Sequence, residues 1–140
     1  MGKFSCKTII VSEKQKYLAF KVAKLAIAKS GTNNLEIAIC ELPMITIYKI
    51  NALTHFFVKR MVKIQFANLI NLILNKELIP EMLQDNCEGE RIARVAENLI
   101  ENPKIAQNQI FESKNVLKVL GLNSKISPSK KAALEILSQL

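Results

Sequence analysis

The sequence is poor in the residues that mark special chemistry. It has one histidine, three cysteines, four glycines and four prolines in 140 residues, and aromatic side chains make up only 6%. Cys6, Cys40 and Cys87 are odd in number and widely spaced, with no CxxC pair and no nearby histidine, so neither a disulfide framework nor a zinc site is supported. They read as free, mostly buried thiols, and no metal or cofactor is expected. His55 lies beside Phe56 without a Ser, Cys or Asp partner at a recognisable spacing, which suits a structural side chain better than a general base. Scarce aromatics and the lack of a DNA- or RNA-binding motif argue against nucleic acid as a partner. Long apolar runs are missing too. The longest charge-free stretch, 64–75, is broken by Asn68 and Asn71 and is far short of the ~20 apolar residues that span a bilayer. Met1 leads into Lys3 and Lys7 without an apolar signal core, and Cys6 stands where a myristoylation pattern wants Ser or Thr, so a cytoplasmic chain is expected.

What is present is a hydrophobic content of 49% against 23% charged residues, which predicts one compact folded unit rather than disorder. The formal net charge of +8 is unevenly placed. Residues 1–63 carry eleven Lys or Arg against Glu13, Glu36 and Glu41, whereas residues 64–140 balance nine basic with nine acidic groups. Such asymmetry can attract phosphates or an anionic membrane. Lysine also outnumbers arginine 17 to 3, which is the usage an AT-rich genome imposes and an equally simple source of the excess.

Along the chain, strand and helix alternate at first. Thr8–Val11 is a β-branched run that predicts a buried strand, and Lys14–Lys24 places Tyr17, Leu18, Val22 and Leu25 at helical spacing with lysines opposite. Leu25–Ala28 predicts a second strand, Asn33–Cys40 a helix with Leu35, Ala38 and Ile39 on one side, and Met44–Tyr48 a third strand. This is the order of parallel βα units. Beyond Asn51 the pattern turns helical. Leu53, Phe56, Phe57 and Met61 share a face against Lys59, Arg60 and Lys63; Phe66–Leu74 predicts a loop with a helical turn. Glu77–Gln84 predicts a helix with Pro80 in its first turns, Gly89–Asn102 one with Ile92, Val95, Ala96 and Leu99 inward, and Lys104–Leu120 another that Gly121 ends. Ser127 or Ser129 can cap a last helix.

Few residues could carry chemistry. At Ser30-Gly31-Thr32 a strand turns into a helix, where a glycine permits a tight turn and the next amides can hold a phosphate; spacing alone favours an ordinary turn with Ser30 or Thr32 as helix cap. Glu36, three residues after Asn33, can be a reciprocal cap or can face the same ligand. Asn71 either caps local backbone or binds a ligand. Lys59, Arg60 and Lys63 suit either a solvated helix face or an anionic bilayer surface.

The order of these segments resembles a known family. Lys16-Tyr17-Leu18-Ala19, Leu25-Ala26-Ile27-Ala28-Lys29-Ser30-Gly31-Thr32, Leu35-Glu36, Leu42-Pro43-Met44, Tyr48-Lys49 and Lys59-Arg60-Met61-Val62-Lys63 resemble the C-terminal part of bacterial lipid-A-disaccharide synthase. Asn68-Leu69-Ile70-Asn71-Leu72 and Lys76-Glu77-Leu78-Ile79-Pro80-Glu81-Met82-Leu83-Gln84 are similar to that family's Pro-Asn-Leu-Leu and Arg-Glu-x-x-Pro-Glu-Leu-Leu-Gln stretches. The resemblance covers about residues 14–102. It departs at Ile70 in place of a proline, at Asn75-Lys76 in place of Gly-Arg, and at Lys24 in place of an acidic residue. A lysine at the arginine position gives up bidentate anion binding.

The resemblance implies an α/β fold: a partial Rossmann-like parallel sheet of about three strands followed by a helical C-terminal region, with residues 1–102 as a partial nucleotide-sugar-binding domain and 103–140 as a helical tail. It implies a glycosyltransferase that moves an acylated glucosamine from a UDP-sugar donor during lipid A biosynthesis, at the cytoplasmic face of the inner membrane. It assigns Ser30, Gly31 and Thr32 to the phosphate-facing turn, Glu36 to the ribose region and Asn71 to the donor pocket, with Glu77 and Gln84 also at motif positions. It assigns no catalytic residue, because the family's acceptor-binding domain has no counterpart here. The expectation is therefore a C-terminal fragment that is catalytically incomplete alone, completed by a separate N-terminal-domain polypeptide or left as the remnant of a split gene. An unpaired sheet edge and the family's dimers both lead to an expected homodimer or poor solubility. The alternative is a small basic adaptor docked on a membrane surface through Lys59, Arg60 and Lys63.

Overall fold

The computed structural model describes residues 6–51 and 65–138. Three short parallel strands form its centre: β1 (Ala26–Lys29), β2 (Met44–Tyr48) and β3 (Glu81–Leu83), in the order β1-β2-β3. Ala26 lies opposite Met44 and Lys29 opposite Ile47, while Thr46 lies opposite Glu81 and Tyr48 opposite Leu83. Backbone bonds extend the ladder beyond the strands, from Ala26 N to Pro43 O (2.9 Å), Ser30 N to Ile47 O (3.0 Å) and Thr46 N to Pro80 O (2.9 Å). Among the described residues there are six α-helices: α1 (Lys16–Val22), α2 (Asn33–Ile39), α3 (Leu69–Leu74), α4 (Gly89–Glu101), α5 (Pro103–Val119) and α6 (Pro128–Leu137). A 3-10 turn, Glu13–Gln15, leads into α1, and a second, Gln84–Asn86, follows β3.

The core gathers residues from all along the chain. Ile37 and Ala38 of α2, Leu42, Met44 of β2, Ile70 of α3, Ile79, and Val116 and Leu117 of α5 form one buried cluster, with Phe20 of α1 packed against it. Each large aliphatic side chain so buried contributes roughly 1.5–3 kcal/mol. The helix after Asn102 is part of this same core, because Pro103 starts α5 and α5 lies against α2.

Gln109 of α5 does a strand's work. Its Oε1 accepts from Met44 N at 2.7 Å and its Nε2 donates to Met44 O at 3.1 Å, so one side-chain amide closes both backbone groups of the first residue in β2. β3 begins pairing only at Thr46, which leaves Met44 without a strand partner on that side. A buried backbone N–H and C=O need partners, and Gln109 supplies them.

Several sequence expectations change here. Thr8–Val11 is not a buried strand: it has no strand structure, and Ile9 and Ile10 are 72% and 78% exposed. The third strand is β3, inside the segment expected to be the Glu77–Gln84 helix. Pro80 cannot donate to a helical ladder, and Glu81 N is bonded instead to the Glu77 carboxylate at 3.2 Å. In α2 the buried positions are Asn34, Ile37 and Ala38, whereas Ile39 is exposed. The cysteines are free, but Cys6 is exposed and Cys40 and Cys87 are only half-buried. The expected helix around Leu53–Lys63 lies outside the described residues. Met44–Tyr48, the inward face of α4 through Leu99, and the Ser127 cap on Lys130 N (3.3 Å) agree with the sequence pattern.

Candidate functional site

The carboxyl end of a parallel sheet is where α/β folds place ligands. Here that end is formed by Ser30 after β1, Lys49 and Ile50 after β2, and Gln84 after β3. Gly31 follows with φ +153°, a backbone conformation that side chains rarely adopt, and a Cβ built there would meet nothing within 4 Å. The turn therefore faces open space. Neither expected cap operates on α2: Thr32 makes no side-chain capping bond, and Ser30 Oγ donates to Ala67 O at 2.6 Å.

That bond joins β1 to the segment before α3, and Glu81 fixes the segment from below. Its carboxylate accepts from Ala67 N (2.7 Å), Asn68 N (2.9 Å) and Asn71 Nδ2 (2.8 Å). Asn71 is fully engaged within the chain. Nδ2 also donates to Ile79 O (2.7 Å), and Oδ1 accepts from Leu78 N (3.0 Å) and Ile79 N (2.9 Å), which fills both donors and both acceptors of the amide. Asn68 caps α3 through Ile70 N (2.8 Å) while its Nδ2 donates to Thr46 Oγ1 (2.8 Å), which also accepts from Asn34 Nδ2 (3.1 Å). A buried polar seam thus runs from α2 across β2 to α3.

Glu36 points toward α1. Its carboxylate receives the Lys16 ammonium (3.1 Å to Oε1, 3.0 Å to Oε2) and the Tyr17 hydroxyl (3.0 Å). These two donors hold the Glu36 carboxyl below its ordinary range, and Glu13, followed by the Glu36 carboxylate, holds the Lys16 ammonium well above its own; the Tyr17 hydroxyl is raised as well, first through its bond to Glu36.

The structure thus links Ser30 to Asn71 through Ala67 and Glu81. Gln84, with φ +49°, sits at the same sheet end and accepts from Ile50 N at 3.4 Å, while Lys29 stacks over the Tyr48 ring at 5.7 Å. Glu36 belongs to a separate cluster with α1, Glu77 is exposed beside Glu81 N, and Lys59, Arg60 and Lys63 lie outside the described residues. Sequence reasoning missed Glu81, Asn68 and Thr46. Glu81 and Asn68 stand inside the recognised motifs, which was the available signal.

Residues 3–136 match the family described as lipid-A-disaccharide synthetase. The chain belongs to that family. The lipid-A-disaccharide synthase of Rickettsia akari is 43% identical over 121 residues, covering 86% of this chain and 31% of that protein. Those of Rickettsia felis and Rickettsia bellii are each 44% identical, over 120 and 111 residues, covering 86% and 79% of this chain. The chain thus spans about 30% of the length of the curated relatives it matches. The region matched to the lipid-A-disaccharide synthetase family takes in the Ser30–Thr32 turn, the Asn68–Asn71 seam and the Glu77–Gln84 segment. Among the described residues no helix is long and apolar enough to cross a membrane.

Proposed function

We propose that this chain is the C-terminal, donor-facing part of a glycosyltransferase of lipid A biosynthesis, and that the carboxyl ends of β1, β2 and β3 hold a UDP-sugar. The observation that carries the reading is the bond from Ser30 Oγ to Ala67 O, anchored in turn by Glu81. It draws Ser30 and Ala67, 37 positions apart, to one end of the sheet, around a glycine turn open to solvent. In this reading Ser30, Gly31 and Thr32 face the phosphates, with Glu77 and Gln84 at the rim. Glu36, assigned to the ribose region by the resemblance, is held by Lys16 and Tyr17 and positions α2 rather than touching the ligand. Asn71 positions rather than touches, since its amide has no free valence. Transfer in this reading is the work of the whole family protein, of which this chain spans about 30%. Lys59, Arg60 and Lys63 would then face anionic lipid of the inner membrane.

Titration of the chain with UDP, followed by amide chemical shifts, tests the donor site. Shifts should concentrate at Ser30–Asn33 and Ala67–Asn68, and Ser30→Ala, which releases Ala67 O, should weaken the apparent affinity about tenfold, the loss of one hydrogen bond. Shifts absent from both segments at millimolar UDP would remove the donor reading.

A further inference from the structure

Three buried polar side chains meet at one hydroxyl in the middle of the sheet. Thr46 of β2 stands between Ile45 and Ile47 in sequence and is completely buried, and Asn34 and Asn68 are each only 1% exposed. Both amides donate to Thr46 Oγ1: Asn34 Nδ2 from α2 at 3.1 Å, and Asn68 Nδ2 from the N-cap of α3 at 2.8 Å. A valine would fill the space of Thr46 with no polar group to satisfy. The network is also incomplete, since among the described residues Asn34 Oδ1 is buried without a hydrogen-bond partner. Stability alone therefore does not account for the seam.

The segments that the seam joins do account for it. Asn34 N donates to Gly31 O (3.1 Å), which closes the glycine turn, and Asn68 directly follows Ala67, whose carbonyl accepts from Ser30 Oγ (2.6 Å). Residues 30–34 and 67–68 are thus tied twice. Ser30 makes the tie at the rim, and Asn34 and Asn68 make the other two residues lower in the ladder, where Thr46 lies opposite Ala28. One bond lets two segments swing about it, whereas two fix their tilt. Apolar packing at the lower point would be non-directional and would permit sliding, but hydrogen bonds to a common acceptor set one separation.

We propose that Asn34, Thr46 and Asn68 are positioning residues of the donor site: through the shared hydroxyl they hold the exposed glycine turn at a fixed offset from Ala67, so that it has its binding shape before a diphosphate arrives. The proposal rests on the donor reading and names what preorganises that site. All three side chains are buried and act through the turn rather than on the ligand. Ordering the turn in advance removes an ordering cost from binding.

The test uses the full chain and reads the turn with and without UDP. In the free chain, backbone nitrogen relaxation should give order parameters of about 0.85 at residues 31–33 in the wild type and in Thr46→Ser, which keeps the hydroxyl, and below about 0.6 in Thr46→Val and Asn34→Ala. Titration with UDP should find Thr46→Ser like the wild type and the other two variants weaker by about tenfold. Asn34→Ala also removes the unpartnered oxygen, so its urea midpoint should fall less than that of Thr46→Val, which strands two buried amides. Affinity and stability then move separately, which a purely structural role does not produce. If Thr46→Val does not fold, Asn34→Ala carries the comparison. Unchanged order parameters in Asn34→Ala overturn the proposal, as does a loosened turn that binds UDP as tightly as before. A wild-type chain without UDP shifts overturns the donor reading, and the relaxation data still decide whether the seam positions the turn.

Discussion

Asn71 shows how much of the site depends on single side chains whose every hydrogen-bonding position is taken. Asn71→Ala leaves the buried Ile79 N–H and the neighbouring Leu78 N–H without partners, and should cost about 2–4 kcal/mol in urea unfolding. A loss below about 0.5 kcal/mol, the range of ordinary surface changes, would show that water replaces the amide. Glu36 offers a pH test. Its folded value is lowered by Lys16 and Tyr17, so the stability it contributes is fully present above the ordinary carboxylate value of 4.5 and is lost as pH falls through the lowered folded value. Lys16 runs the other way: its folded value is raised, so its contribution is complete below 10.5 and is lost as pH rises through the folded value. The tie between α1 and α2 therefore holds across neutral pH. A carbon-detected titration should find the Glu36 carboxyl below 4.5, and Lys16→Met should move it upward; no movement would assign the shift to another group. The sequence named Asn71 and Glu36 as candidates because an amide in an apolar run and a carboxylate beside a glycine turn are conspicuous locally. Glu81 was not conspicuous, since its three donors come from residues 10 to 14 positions away.

At the level of elements, β2 was legible because Met44–Tyr48 is a β-branched run bounded by Pro43 and Lys49. β3 was not. Three residues are too few to display alternation, and a glutamate followed by proline imitates the opening of a helix. Thr8–Val11 has the composition of a strand, but composition cannot supply the neighbour with which a strand must pair. The most testable element-level contact is the Gln109 clamp on Met44. Gln109→Leu keeps the approximate volume and strands a buried N–H and C=O, so it should destabilise by about 2–4 kcal/mol. Gln109→Glu should be no milder, because a carboxylate oxygen then faces Met44 O. If both variants unfold at the wild-type midpoint, the clamp is dispensable and the amino end of β2 frays.

Across the whole molecule the helices divide by what they bury. α5 contributes Val116 and Leu117 to the core and reaches β2, whereas α6 buries no residue and leaves Leu134, Ile136 and Leu137 exposed. A chain ending at Ile126 should therefore unfold within about 0.5 kcal/mol of the full chain, measured by urea. A larger loss would show that α6 supports the core. The whole-molecule fold class was readable from the alternation of the first units, but the joining of sheet to α5 was not, because it depends on a glutamine 65 residues beyond its partner. That separation also has a temporal meaning during synthesis. At ~5–20 residues per second, Gln109 is added roughly 3–13 seconds after Met44. For that interval water alone can serve the two backbone groups at the foot of β2. The nascent sheet thus stays open to proteases and chaperones until the last helix of its core has left the ribosome.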